Sequence, residues 1–267
     1  MAHPIERLRW VARADGAGAS VLARDTAAAL ASVGDDLPAL VTGCRRIIER
    51  HPAFGPLWWV AARMLAAENP AQEAWVAAAE LETDDTASIL AAHLPDEATA
   101  VVLGWPEIGA TALRKRGDVE VFVVDSNNEG PMLVRRLESA GVDAYDVHES
   151  GLGTAIREAS MVILEAEAVG PDGFVATKGS LAAAATARQL EREVWVVAGV
   201  GRVLPGRLWE ALVERMERDA DPWDVDQEIV PLDWATTVVG PTGPLAPGDA
   251  AKRADCAIAP ELLRWEK

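Results

Sequence analysis

Alanine, leucine and arginine dominate the first 94 residues, and runs of β-branched residues are scarce there. That pattern predicts helices. One spans residues 20–33 and another 37–50. A third opens at Pro56, runs through Trp58, Trp59 and Met64, and ends near 68. Asn69-Pro70 punctuates, and Pro70 opens a helix predicted to reach 93. Leu94-Pro95-Asp96 then marks a boundary.

Beyond it the pattern changes. Short apolar runs at 100–103, 119–124, 142–147, 161–164, 194–198 and 236–239 read as strands. Helical stretches at 108–116, 130–140, 153–159, 179–191 and 207–217 separate them. Strands alternating with helices predict parallel βαβ units with helices on both faces of the sheet. Continuous apolar strands such as VEVFVVD and REVWVVA fit burial on both sides. The last 27 residues are rich in Gly and Pro and read as a tail, with a short helix at 260–265. The expected division is a helical domain at 1–95, a wound α/β domain at 96–240 and a tail at 241–267.

In such sheets ligands bind beyond the carboxyl ends of the strands. That edge is built from residues 104–107, 125–130, 148–153, 165–180 and 199–205. Glu165 and Glu167 follow the fourth strand and stand at i, i+2, so on extended chain they point the same way. As a close pair they suit acid and base roles; as plain surface they are a solvated acidic loop. Asp125, Glu129 and Glu149 add acids to the same edge, without the ordered spacing of a cation loop. The segment from Gly170 to Ser180 precedes an alanine-rich helix, whose first N–H groups with Lys178 and Ser180 would attract an anion. It is not a P-loop, because GxxxxGK[ST] is absent. The alternative there is an ordinary capped helix start. The Gly-rich GVGRVLPG after the fifth strand lacks the first-turn position of a dinucleotide fingerprint.

Charge narrows the partners. The net charge is −17 at pH 7, against the basic face that nucleic-acid binding needs. Lysine stands only at 115, 178, 252 and 267, and this lysine-poor acidity fits the surface of a protein from a salty cytoplasm. No apolar run approaches the ~20 residues of a membrane helix, and MAHPIERLRW has no apolar signal core. A cytoplasmic protein, with no membrane or nucleic-acid partner, is expected. Cys44 and Cys256 form no CxxC pattern and read as reduced thiols. The four histidines show no ligand spacing, so neither a metal nor a cofactor is expected.

Several strings resemble the translation initiation factor 2B alpha/beta/delta family, which includes ribose-1,5-bisphosphate isomerase and methylthioribose-1-phosphate isomerase. LEAEAVGPDGFVATKGSLAAAATARQLEREVWVVA looks like the family's Gly-Ala-Asp, Asn-Gly, Asn-Lys-Ile-Gly-Thr stretch with its helix and strand. VFVVDSNNEGPMLVRRLESAGVDAYDV, HPAFGPLWWVAARML and VPLDWATTVVGPTG resemble further segments. The resemblance implies a helical domain followed by a Rossmann-like, mainly parallel wound sheet of the NagB/RpiA/CoA-transferase-like kind. It also implies a homodimer or higher homo-oligomer, a protein partner, and a sugar phosphate or nucleotide as ligand. By position it gives Glu167 the place of the catalytic aspartate. Thr177, Lys178, Gly179, Ser180, Glu129 and Gly130 fall at ligand- and phosphate-binding places.

The departures bear on the chemistry. Where the isomerases keep a cysteine, the turn here is Gly104-Trp105-Pro106-Glu107, and a tryptophan supplies no thiolate. Their phosphate-holding Arg-Gly-Ala is Asp15-Gly16-Ala17, which turns attraction into repulsion, with Arg13 the nearby arginine that would have to substitute. Their Arg-Pro is missing from the turn 125–130. A retained framework with lost reaction chemistry points to a non-catalytic binding or regulatory relative. An isomerase with an altered active site is the alternative.

Overall fold

The computed structural model describes residues 18–218, 221 and 223–263. Five helices come first: α1 Ala19–Leu30, α2 Leu37–Arg50, α3 Gly55–Ala66, α4 Pro70–Glu82 and α5 Thr86–His93. The single helix expected at 70–93 is two. The break lies at Asp84, whose carboxylate accepts from the Thr86 N–H and hydroxyl, a cap that competes with continued helix. Its other oxygen accepts from Val200 N at 2.9 Å, tying the break to the sheet edge.

The α/β region follows, with β1 Thr99–Leu103, α6 Glu107–Leu113, β2 Glu120–Val124, α7 Gly130–Glu138, β3 Asp143–Val147, α8 Leu152–Glu158, β4 Met161–Val169, β5 Gly173–Thr177, α9 Ser180–Gln189, β6 Glu193–Val197, α10 Gly206–Arg218, β7 Gln227–Pro231, β8 Thr237–Gly240 and β9 Gly243–Leu245. Two short helices, α11 Pro247–Ala250 and α12 Pro260–Leu263, close the described chain. The main sheet runs β3-β2-β1-β4-β6-β8-β9, and only β9 is antiparallel to its neighbour. The expected mainly parallel wound sheet is the observed one.

Alternation within the strands sends side chains to two apolar layers. Ala100 and Val102 pack with α5, α6 and α7 through Leu90, Leu113 and Leu133. Val101 and Leu103 pack with α8 and α9 through Ile156 and Ala184. A third cluster fills the helical region. It takes in Trp58, Trp59 and Met64 of α3, then Leu208 and Leu212 of α10 and Leu262 of α12. The tail is thus part of the helical core: Trp59 donates to Asp255 at 2.6 Å, and Arg45 to the Glu261 carbonyl at 2.8 Å.

One strand does double service. The first half of β4 lies between β1 and β6 in the parallel sheet. Its second half leaves to pair antiparallel with β5, which pairs antiparallel with β7. The ladder slips between Ala166 and Ala168, so Glu167 is the extra residue of a β-bulge. Bulges re-aim side chains, and this one sits where β4 changes sheets. The start of α3 presses on it: a Cβ on Gly55 would stand 2.8 Å from the Glu167 carbonyl oxygen.

Candidate functional site

A cavity of about 230 Å³ opens at the carboxyl ends of β1 and β4. Leu103, Trp105 and Glu107 line one side, Glu165 and Glu167 another, and Asn127 and Glu129 a third. Thr177, Ser180, Asp226 and Gln227 come from the β5–β7 side, and Phe54 from the helical region. Five lining residues are carboxylates, and among the described residues no lysine, arginine or histidine lines it.

The cation lies beneath. Arg202 is only 1% exposed, in the Gly-rich turn after β6. Its Nη2 stands 3.1 Å from Glu165 Oε1 and its Nη1 3.7 Å from Glu167 Oε2. The same Nη1 donates to the Ala166 carbonyl at 2.5 Å. Glu165 is well supplied: its Oε2 also accepts from Ile108 N and Gly109 N, at 2.8 and 3.0 Å. Glu167 is not, since its Oε2 is buried without a hydrogen-bond partner. Burial pushes the Glu167 carboxyl up to about 7; Arg202 pulls the other way, and Glu165 and Glu107 add to the rise. Burial also raises Glu107, with help from the like charge of Glu165. Glu129 is raised chiefly by burial, although a hydrogen bond from the Trp105 backbone opposes that.

The residues expected around the α9 start divide. Thr177 and Ser180 line the cavity. Gly179 precedes α9 at φ +97°, a backbone that favours glycine. Lys178 is not among the lining residues; its ammonium donates to the Trp223 carbonyl at 3.0 Å. The helix start is met by the chain itself, because Glu228 Oε1 accepts from Leu181 N at 2.8 Å. Glu129 lines the cavity, and Gly130 opens α7 with its N–H on Asp125. Trp105 stands in the wall, with the Arg136 guanidinium 5.5 Å from its ring centroid. Glu149 lies on the short turn before α8, outside the cavity. Arg13 and Asp15-Gly16-Ala17 lie outside the described residues.

Both cysteines are free. Cys44 is packed in the helical cluster, and burial pushes its thiol up to about 12, so it brings no thiolate to the cavity. Among the described residues no group of three or more His, Cys, Asp or Glu is placed to hold a metal. No described helix is long and apolar enough to cross a membrane.

Sequence reasoning missed Arg202, Asp226 and Gln227. A signal existed for the first: a lone arginine between a Gly-Val-Gly turn and an apolar Val-Leu-Pro, directly after a buried strand.

Residues 68–231 match the model of the Initiation factor 2 subunit family. Among solved structures, the chain is similar to the translation initiation factor eIF-2B of Pyrococcus horikoshii OT3. The TM-score is 0.73 at 18% identity, over 92% of this chain and 98% of that one. It is similar to a chain of the tetrameric eIF2B-beta2-delta2 complex of C. thermophilum, with TM-score 0.71 and 16% identity over 93% of each chain. It is also similar to 5-methylthioribose 1-phosphate isomerase of P. horikoshii OT3, with TM-score 0.64 and 13% identity over 94% and 86%. At such identities the likeness is one of fold. No curated protein matches the chain.

Proposed function

This chain belongs to the Initiation factor 2 subunit family, and from that premise we propose that it is a non-catalytic, binding or regulatory member, self-associating and holding a protein partner. The cavity carries this reading: it presents Glu107, Glu129, Glu165, Glu167 and Asp226 and no described basic side chain. A phosphate ester there meets like charge, at about 1 kcal/mol per charge pair even in water and more where water is excluded. The buried cation beneath it, Arg202, is already shared by two carboxylates. A role in translation rests on analogy with relatives. The similar chain in a tetrameric complex supports the self-association, which light scattering on the purified protein checks. The direct test is an assay with ribose 1,5-bisphosphate and 5-methylthioribose 1-phosphate. No turnover is expected, and millimolar amounts of either leave the melting temperature unchanged. Turnover that Glu167→Gln abolishes overturns the proposal.

One observation favours a second reading, an aldose–ketose isomerase with an altered site. A cavity carboxyl raised to about 7 is suited to moving protons at neutral pH. Glu167 is then the acid/base, with Thr177, Ser180 and Glu129 lining the ligand's place and Gly179 and Gly130 next to them in the chain. Lys178 acts on the ligand only if its ammonium leaves the Trp223 carbonyl. A net charge of −17 with four lysines also supports adaptation to a salty cytoplasm, so stability is expected to fall as salt is withdrawn.

A further inference from the structure

The floor of the cavity holds one buried cation and a surplus of acids. Arg202 faces Glu165 and Glu167 of β4, Glu107 of α6 and Asp84 of the α4–α5 break. The two β4 glutamates are served unequally. Glu165 has Arg202 Nη2 at 3.1 Å, accepts from two backbone N–H groups, and is 8% exposed. Glu167 has Arg202 at 3.7 Å, no hydrogen bond to its buried Oε2, and a side chain 25% exposed toward the cavity. The Nη1 that stands 3.7 Å from it also donates to the Ala166 carbonyl. The β-bulge sets this inequality, because it inserts Glu167 as the unpaired residue of β4.

We propose that Arg202 sorts the two glutamates: Glu165 is its standing ion partner, and Glu167 is the group through which the cavity takes up and releases a proton. Arg202 and Glu165 are positioning residues for it. One cation cannot neutralise two adjacent carboxylates and Glu107, so a proton goes to the carboxyl whose oxygen is buried without a hydrogen-bond donor, that of Glu167. The direction of the Glu167 shift, raised by burial and by Glu165 and Glu107 against Arg202, agrees. From the facing elements, β5 and the α3 start bring Thr177 and Phe54, neither of them charged, and Glu129 and Asp226 complete the acids across the cavity. Neutral Glu167 offers an O–H donor to an acceptor oxygen of a ligand. Ionised, it adds a negative charge that favours a cation. Occupancy of the cavity is therefore coupled to pH around neutrality.

The test is a pH titration of the full chain with glutamate side-chain carboxyls labelled with ¹³C and followed by NMR. Glu167→Gln identifies the resonance. The Glu167 midpoint is expected at about 7. Arg202→Met moves it up by about one pH unit or more, since the neighbouring cation is gone. Glu165→Gln moves it down, since a like charge is gone and the guanidinium is released to Glu167. Arg202→Lys keeps the charge and stays closer to the parent than Arg202→Met does. If Arg202→Met does not fold, Glu165→Gln and Arg202→Lys decide. A Glu167 midpoint in the usual carboxylate range, or an upward shift in Glu165→Gln, overturns the proposal. No ligand or turnover enters the measurement, so its failure is separate from failure of the binding reading.

Discussion

Two helices at this edge begin with an N–H group on a glutamate of the same chain. At α6 the glutamate is Glu165, which reaches from β4 to Ile108 N and Gly109 N. At α9 it is Glu228, which reaches from β7 to Leu181 N. Both positions are where an outside anion would be welcome, and in both the protein supplies the anion itself. The difference is what lies behind each. Glu165 is backed by Arg202, out of water, whereas Glu228 is half-buried and its bond lies near solvent. The same bond is worth little in water and much in a dry corner, because burial removes the competing solvent. A helix start read from sequence therefore says where an anion fits, not whether the place is free.

The sharpest way to break this comparison is Arg202→Met. Removing the cation from a buried pair leaves stranded charge, so a loss of about 3–5 kcal/mol is expected in urea unfolding. A loss below about 1 kcal/mol would put the two corners on a level. Glu165→Ala comes next, at about 2–3 kcal/mol, because it frees the cation and two N–H donors together. The third effect is in the pH profile. The folded Glu167 carboxyl is raised from 4.5 to about 7. Between those values the native state holds a proton that the unfolded chain has released, so stability falls as pH rises through the window. Glu167→Gln should flatten that fall, which is of order 1–3 kcal/mol; an unchanged slope would move the proton elsewhere. Smallest is Glu228→Gln, expected to cost about 0.3–1 kcal/mol and to weaken further in salt.

Much of the fold was legible because it is locally written. The α2 bounds follow from its cap and composition, and Asp36 does accept from Ala39 N. The inner parallel strands announce themselves as short apolar runs, since β1, β4 and β6 are largely buried on both faces, whereas the edge strand β3 leaves Asp143, Tyr145 and Asp146 exposed. β5 and β7 were not legible. Residues 170–180 read as a helix-start loop, yet Gly173–Thr177 is a strand held between β4 and β7. β7 lies some fifty residues further on, and a five-residue strand that depends on such a partner leaves little local pattern. The Asp84 break was hidden for a similar reason: one of its partners is Val200.

The sequence by itself determined that acids gather at the strand ends, that no thiol stands among them, and that Glu165 and Glu167 share one edge. Those are matters of residue order and strand period. Only the tertiary structure decided what the acids are to one another. It brought Arg202 up under β4, gave Glu165 two backbone donors from α6, and left Glu167 on a bulge with none. It also turned the Lys178 ammonium to Trp223 and set Glu228 at the α9 start. The charge state of a carboxyl depends on its burial and on neighbours within a few ångströms, and folding brings those neighbours from distant parts of the chain.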